Sequence, residues 1–193
     1  MDEQPYPTSI LDHGVLVLQQ ITSFMANDFE ILDANGGVVG QFAGLDSGMS
    51  RFLTGPRVFA LYEADGSPLL GLNDVHNWGM DTYELSDPVG NPVGTVGQKL
   101  TFFRTVVEAQ SVDGTLLSFE GGFFDYDYQI LDNGFEVARV TKEWAGFSRA
   151  FMGHSRYVLS IDPRVNRPSR PLILGTAVAL DLIRMKGSGS SST

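Results

Sequence analysis

The feature that most constrains the fold is a short pattern that recurs five times along the chain. In each copy, a run with alternating apolar residues leads through Asp or Asn and Gly into a second run of the same kind. The five turns are Asp33–Gly37, Asp65–Pro68, Asp87–Gly90, Asp113–Gly114 and Asp132–Gly134. Such turns reverse the chain between antiparallel strands. The pattern therefore predicts five β-hairpins in a mainly β fold.

Two further strand-like runs bring the predicted number of strands to about twelve. They lie near Val15–Gln20 and Arg156–Ile161. An open sheet of this size accumulates twist and exposes its edges, so we expect a closed barrel or two packed sheets. A barrel of about eight strands is filled by its own side chains, whereas a wider one needs something in its lumen.

A C-terminal helix is the predicted filler. Pro171 is suited to the first turn of a helix, and the residues that follow are apolar on every helical face. The residues expected at the centre of the barrel are Leu172, Ile173, Leu174, Ala177, Val178, Leu180, Leu182 and Ile183. Gly175 would keep part of the helix thin, and Asp181 could pair with Arg184. We predict an antiparallel barrel of about twelve strands around this helix; an ordinary core helix against one sheet face is the alternative.

The same helix is too short to cross a membrane. Its apolar part, Leu172–Ile183, includes Asp181 and would span about 18 Å of a hydrocarbon layer that is about 30 Å thick. Residues Met1–Pro7 lack the basic and apolar regions of a secretory signal. We therefore expect a cytoplasmic protein, with peripheral contact to a membrane left open. Ten arginines against three lysines suggest a GC-rich, bacterial genome.

The chain is expected to form one domain. Residues 15–186 hold all predicted strands and the helix, after an N-terminal arm at residues 1–14. Residues 187–193 are Gly, Ser and Thr, a composition typical of a flexible tail.

Charge is distributed unevenly along the sequence. Residues 1–138 carry a net charge of −16 and residues 139–193 carry +6, which gives −10 for the chain. The basic part could face anionic lipid, phosphate or a partner protein. Alternatively, the two signs interleave and cancel in a closed sheet. Because the whole chain is acidic, we expect no nucleic-acid partner.

Several classes of chemistry are excluded or lack a signal. The absence of Cys excludes disulfides, thiolate metal sites and cysteine nucleophiles. The three histidines have no metal-site spacing, and no nucleotide-binding or nucleophile motif is present. Asp125, Asp127 and Asp132 could offer oxygens to a hard cation, although strand alternation favours a solvated face. We predict no enzyme activity, no cofactor and no metal.

Three blocks near the C-terminus carry a family resemblance. They are Lys142–Phe151, which includes a predicted corner at Trp144–Phe147, followed by Tyr157–Pro163 and Arg170–Asp181. In this order they resemble the C-terminal part of the phospholipid scramblase and LURP-one-related family, and the likeness extends over about residues 15–186. The resemblance implies a tubby-like fold, in which a closed barrel of twelve strands surrounds a hydrophobic helix.

The resemblance also implies a function. We expect a non-enzymatic, scramblase-related domain that binds an anionic lipid headgroup, a small ligand or a protein partner at the membrane surface. The candidate anion-binding residues are Arg149, Arg156, Arg164, Arg167 and Arg170. The calcium-binding stretch of the eukaryotic scramblases corresponds here to Met152–Arg156, which contains no carboxylate. Lipid scrambling and a purely structural, protein-binding role are the alternatives.

Overall fold

The structure is a computed structural model that describes residues 9–20, 29–44, 58–75, 80–100, 105–122, 126–142 and 156–189. The strands are β1 (Val15–Gln20), β2 (Phe29–Asp33), β3 (Val38–Gly44), β4 (Val58–Glu63), β5 (Pro68–Val75), β6 (Thr82–Ser86), β7 (Pro92–Leu100), β8 (Thr105–Ser111), β9 (Leu116–Gly122), β10 (Asp127–Asp132), β11 (Phe135–Thr141) and β12 (Arg156–Ile161). The helices within the described residues are two 3-10 helices at Ile10–Asp12 and Arg167–Ser169 and one α-helix, α1, at Arg170–Gly189.

The twelve strands form a closed antiparallel barrel in chain order. Each strand pairs with its sequence neighbours, and β1 closes the ring against β12 through pairs such as Val15 with Ser160. The predicted mainly β fold, the closure and the number of strands are confirmed. The first and last strands have the predicted bounds.

The hairpin turns owe their shape to their Asp and Gly residues. Oδ1 of Asp33 accepts hydrogen bonds from the backbone N–H groups of Asn35 and Gly37, both at 2.8 Å. Gly36 has a φ of 85°, in the left-handed region that glycine adopts without strain. The same combination of an Asp acceptor and a left-handed Gly recurs in the turn after β6. The local chemistry that predicted the hairpins is therefore the chemistry that forms them.

One junction in the ring is shorter than the rest. Strands β8 and β9 pair only at Ala109 with Leu117 and at Gln110 with Leu116. By contrast, β7 and β8 pair along seven residues, from Gly94 with Ser111 to Leu100 with Thr105. We call this junction the β8–β9 seam; it consists of these two residue pairs next to the turn. Among the junctions of the described barrel, it has the fewest paired residues.

Helix α1 lies within the ring of strands. All eight residues predicted at its centre are buried, with at most 4% of their surface exposed. They lie on every face of the helix, so strands must surround it, and the alternative of a helix against one sheet face does not hold. Each large apolar side chain buried in this way contributes about 1.5–3 kcal/mol to the hydrophobic stabilisation. Among the described residues, no helix is both long and apolar enough to cross a membrane.

Glycines let the helix and the strands approach each other closely. A Cβ atom on Gly175 of α1 would lie 2.8 Å from side-chain carbons of Leu70 and Leu85. A Cβ atom on Gly94 of β7 would lie 2.5 Å from the carbonyl oxygen of Gln110 and 2.8 Å from Leu172. The thin part of the helix that the sequence predicted therefore meets β5 and β6 at Gly175.

Both ends of the described chain are attached to the barrel. Ile10 is fully buried, and the carboxylate of Glu63 accepts hydrogen bonds from the Ser9 hydroxyl at 2.5 Å and the Ile10 N–H at 2.9 Å. At the other end, α1 continues to Gly189, three residues past the predicted domain end at 186. The predicted corner at Trp144–Phe147 lies outside the described residues.

The central position of α1 predicts the effect of a charge inside it. Leu174 is 1% exposed, so Leu174→Asp places a carboxylate in an apolar core at a cost comparable to the whole stability of a small domain, about 5–15 kcal/mol. We expect little or no folded protein, measured by circular dichroism and thermal unfolding. The matched control is Val89→Asp, at a turn residue that is 82% exposed, and should melt like the wild type. Wild-type melting of Leu174→Asp would contradict the placement of the helix.

Close packing at Gly94 predicts the effect of a single methyl group. Gly94→Ala forces a Cβ against the Gln110 backbone, which cannot move away as a side chain can, so we expect a loss of about 2 kcal/mol in the free energy of unfolding. Gly44→Ala is the control, because among the described residues its Cβ would meet only Phe59, at an ordinary 3.7 Å. Urea unfolding measures both variants; equal stabilities would contradict the close approach at β7.

Candidate functional site

The two ends of the barrel differ in what they carry. The meander places all five hairpin turns at one end, and α1 enters the barrel at that same end, at Arg170. We call it the turn end. The last residues of α1, from Arg184 onward, lie at the opposite end.

A cleft of about 620 Å³ opens at the turn end. We call it the turn-end cleft. It is lined by Pro92, Val93, Ser111, Val112, Asp113, Thr115, Leu117, Asp132, Phe135, Glu136, Val137, Asp162, Arg164, Val165, Asn166, Pro168, Ser169, Leu172 and Ile173. Leu117, Leu172 and Ile173 are buried core residues, so the cleft has an apolar floor. Its volume lies within the range of about 300–1,000 Å³ that is typical of ligand sites.

One wall of the cleft is the connection between β12 and α1. The Asn166 side chain caps the 3-10 helix here, since its oxygen accepts hydrogen bonds from the N–H and the hydroxyl of Ser169 at 3.0 and 2.9 Å. A further turn is closed by the Val165 N–H, which donates to the Asp162 carbonyl at 3.0 Å. These bonds fix the shape of the connection between β12 and α1. The hairpin turns after β8 and β10 contribute residues on the other side.

Two exposed apolar side chains line the cleft. Phe135 is 74% exposed and Val112 is 65% exposed, although both belong to turn regions where polar residues are usual. Together with the apolar floor, they form an exposed apolar surface of the kind that marks binding sites.

The polar lining of the cleft is mostly acidic. The described lining residues include four carboxylates and one guanidinium, so their formal net charge is 1 − 4 = −3. Glu136 pairs with Arg139 at 3.1 Å, and Asp162 pairs with Arg164 at 2.7 Å. The other two carboxylates are those of Asp113 and Asp132. Neither forms an ion pair with the described residues.

Local hydrogen bonds keep Asp113 ionised. Its carboxylate accepts from the Ser111 hydroxyl and from the Thr115 N–H, and these bonds, with that of the Ser111 side chain foremost, lower the pKa of Asp113 to about 2. A carboxyl with this pKa carries a full negative charge near neutral pH. The charge next to Val112 is therefore permanent under ordinary conditions.

Three of the five predicted arginines lie near the start of α1, and each is engaged within the chain. Arg164 donates two hydrogen bonds to the Asp162 carboxylate, at 3.0 and 2.7 Å. Arg167 pairs with Asp12 at 2.8 Å. Arg170 donates to the backbone carbonyl oxygens of Leu11 at 2.8 Å and His13 at 3.2 Å.

The structure does not bring all five arginines together. Arg156 begins β12 and so lies at the opposite end of that strand from Ile161, about 20 Å away along six residues. Arg149 lies outside the described residues. The role of these five side chains in binding an anion stays a prediction.

A second polar cluster lies inside the barrel, around Asp181. This residue is 4% exposed, and its Oδ1 accepts hydrogen bonds from the Tyr126 hydroxyl at 2.7 Å and the Arg184 guanidinium at 2.8 Å. The predicted pair between Asp181 and Arg184 is confirmed. Oδ2 of Asp181 and the hydroxyl of Tyr157 have no hydrogen-bond partner within the described part of the chain.

Aromatic rings surround this carboxyl group. The Arg184 guanidinium lies 3.4 Å from the centre of the Tyr126 ring, which stacks on Tyr157 at 4.9 Å. Burial raises the pKa of Asp181 to about 7, and it lowers the pKa of the partly buried Arg184 to about 10. Burial also raises the pKa of Tyr128 and of Tyr157, next to Asp181. Asp181 is therefore a buried acid that titrates near neutral pH.

Lys186 fastens α1 to the barrel at the end opposite the cleft. Its ammonium group lies 2.7 Å from both Asp74 and Asp81 and 5.2 Å from the centre of the Tyr83 ring. Although burial acts against it, hydrogen bonds to the two carboxylates raise the pKa of Lys186. The ammonium group of Lys186 thus holds the end of α1 in place, and its charge is neutralised by carboxylates of the same chain.

The possible cation site in β10 is not assembled. Asp127 and Asp132 lie at opposite ends of this strand, and Asp125 is outside the described residues. In the part of the chain that the structure describes, no three His, Asp or Glu side chains form a group that could hold a metal ion.

Sequence reasoning missed the turn-end cleft. Its residues come from β7, the β8–β9 and β10–β11 hairpins, the β12–α1 connection and the start of α1, so no local pattern contains it. A usable signal was nevertheless present, because Val112 and Phe135 are apolar residues within or next to Asp-Gly turns. Two such apolar residues on adjacent turns, as here, are a signal that the sequence could have given, although Val89 shows that a single one does not mark a site.

Comparisons with known proteins agree with the fold. The family model described as LURP-one-related matches residues 15–181. Among solved structures, the chain is similar to the X-ray structure of a protein from Arabidopsis thaliana, with 15% sequence identity and a TM-score of 0.56. This similarity covers 88% of the present chain and 91% of the plant protein, and at this identity it shows a shared fold alone. No curated protein sequence matches the chain.

The raised pKa of Asp181 predicts a pH dependence of stability. The folded pKa of about 7 exceeds the unfolded value of about 3.9, so the stability due to the protonated form is fully present below about pH 4 and is lost as the pH rises through about 7. The loss is at most about 4 kcal/mol, because Arg184 and Tyr126 stabilise the ionised form.

Asp181→Asn removes this titration and keeps the size of the side chain. Urea unfolding at about pH 5 and about pH 8 should show a smaller fall in stability for the variant than for the wild type. Asp127→Asn is the control, because the Asp127 side chain is 72% exposed. Identical pH profiles for wild type and Asp181→Asn would contradict the prediction.

Proposed function

The chain belongs to the LURP-one-related family, and from this premise we propose that it is a non-enzymatic binding domain whose ligand site is the turn-end cleft. The family match confirms the LURP-one-related part of the predicted resemblance. The relation to the phospholipid scramblases and the tubby-like name stay predictions.

One observation carries the proposal, namely a cleft of about 620 Å³ with an apolar floor at the mouth of the closed barrel. Its floor belongs to the core, where Leu172 and Ile173 are 4% and 2% exposed, so the cleft is formed before a ligand arrives. The exposed ring of Phe135 offers apolar contact area at its rim. A preformed site loses less entropy on binding than one that must order itself.

The chemistry of the cleft supports binding rather than catalysis. Glu136 and Asp162 are engaged with Arg139 and Arg164. With its pKa lowered to about 2, Asp113 is a poor proton acceptor near neutral pH. Among the described residues that line the cleft there is no His, Cys or Lys.

Binding of an anionic lipid headgroup is the second candidate function. It is suggested by the resemblance to scramblases, and the exposed guanidinium of Arg164, with 84% of its side chain accessible, favours it. Against it, Arg164 and Arg167 are already paired with Asp162 and Asp12, and the lining of the cleft is acidic. We therefore rank a protein or small-molecule ligand above a lipid headgroup.

Lipid scrambling ranks lower. It would require a path for headgroups, yet α1 fills the lumen with residues such as Leu174 and Leu180 that are 1% exposed. Opening the barrel around them would expose large apolar side chains at about 1.5–3 kcal/mol each. A role in scrambling would therefore depend on a different state of the protein.

Binding of the neutral, solvatochromic dye Nile red tests the cleft as an apolar site. We expect saturable binding with a blue shift in emission, and about a tenfold loss of affinity in the double variant Val112→Ser, Phe135→Ser, equivalent to about 1.4 kcal/mol. Val89→Ser is the control, because Val89 is 82% exposed and does not line the cleft. An equal loss in the control, or no binding by the wild type, would remove the cleft as the binding site.

A further inference from the structure

We propose that the turn-end cleft receives a short segment of a partner protein that carries an arginine or lysine next to a large apolar side chain. This inference rests on the proposed function and names the class of its ligand. It follows from three features of the cleft, which are its apolar floor, its exposed aromatic ring and its unpaired negative charges.

The negative charges lie on neighbouring turns. Asp113 belongs to the turn between β8 and β9, and Asp132 to the turn between β10 and β11. These turns are adjacent because β9 pairs with β10, with Leu117 opposite Asp132. Leu117 is part of the cleft floor, so the two carboxylates flank the apolar surface.

Each of these acids has an exposed apolar neighbour on its own turn. Val112 precedes Asp113, and Phe135 follows the turn that begins at Asp132. Both apolar side chains are more exposed than buried, at 65% and 74%. A side-chain pair of one cation and one large apolar group would satisfy both kinds of surface, and the face of Phe135 could also accept a guanidinium group.

The described residues do not supply such a cation. Arg139 and Arg164, the two cations in ion pairs with lining acids, are held by Glu136 and Asp162. Within the described residues, Asp113 and Asp132 have no cationic partner. An incoming basic group would therefore gain a charge interaction without breaking an existing pair.

Charge complementarity favours a basic peptide segment over the other candidate ligands of the cleft. The lining carries a net charge of −3 in a chain of −10, which opposes an anionic membrane or a nucleic acid. A neutral apolar molecule would fill the floor and leave both rim carboxylates unused. The segment would be held by its side chains, because β8, β9, β10 and β11 are already paired with each other at this end.

Fluorescence anisotropy with labelled synthetic peptides tests the inference. The probe is a short peptide of alternating arginine and tryptophan, and its matched control contains citrulline, which has the same shape without the charge. We expect the arginine peptide to bind the wild type at least about tenfold more tightly, which is equivalent to about 1.4 kcal/mol. Higher salt should weaken only the arginine peptide.

Variants assign the effect to the two carboxylates. The double variant Asp113→Asn, Asp132→Asn should lose about tenfold in affinity for the arginine peptide, and should keep its affinity for the citrulline peptide and for Nile red. The matched control is Asp33→Asn, Asp65→Asn, which removes the same charge from turns outside the cleft and should bind like the wild type. All four sites lie in or next to hairpin turns and none is buried, and circular dichroism verifies folding.

Each alternative result has a distinct meaning. Equal binding of the arginine and citrulline peptides would overturn the charge-based inference and leave the cleft as an apolar site. Binding of Nile red without binding of either peptide would overturn the inference in favour of a small ligand. Flotation with vesicles that contain phosphatidylserine, unaffected by Asp113→Asn, Asp132→Asn, would overturn it in favour of a lipid. Failure of all probes would remove the proposed function as well.

Discussion

A ring of twelve strands encloses more space than its own side chains fill, and the apolar helix in this space is the contact on which the rest of the structure depends. The helix must enter through one mouth of the barrel, and the connection that leads it there forms a wall of the cleft. At the other mouth, Lys186 ties its end to Asp74 and Asp81. The position of the candidate site is therefore a consequence of how the core is filled.

Several arginines of the C-terminal part form contacts within the molecule. Arg167 and Arg170 bind the N-terminal 3-10 helix through Asp12 and the carbonyl oxygens of Leu11 and His13. They thus join the beginning of the chain to the start of α1, where the barrel is entered. A basic C-terminal segment can serve this internal purpose, and the described lining of the cleft at this end is mostly acidic and apolar.

Local chemistry explains what could be predicted from the sequence. Alternation of apolar residues predicted the first and last strands, and Asp with Gly predicted the turns. The helix was predicted to be buried because it has no polar face. The pair between Asp181 and Arg184 was predictable because three residues separate them. The bond from Tyr126 to Asp181 spans 55 positions and the pair between Asp12 and Arg167 spans 155, and no spacing rule reaches so far. The cleft was missed for the same reason, since its lining runs from Pro92 to Ile173.

The short β8–β9 seam is the junction at which the barrel should open most easily. Only two residue pairs hold these strands together, so parting them sacrifices far fewer backbone hydrogen bonds than parting any well-paired neighbours, such as β7 and β8. Local thermal opening of the barrel should begin at this seam and would briefly expose the interior to water. The seam ends at the turn that carries Val112 and Asp113, which line the cleft. A ligand bound in the cleft would therefore also stabilise the pairing of β8 with β9. Recognition and rigidity would then be coupled through one strand junction.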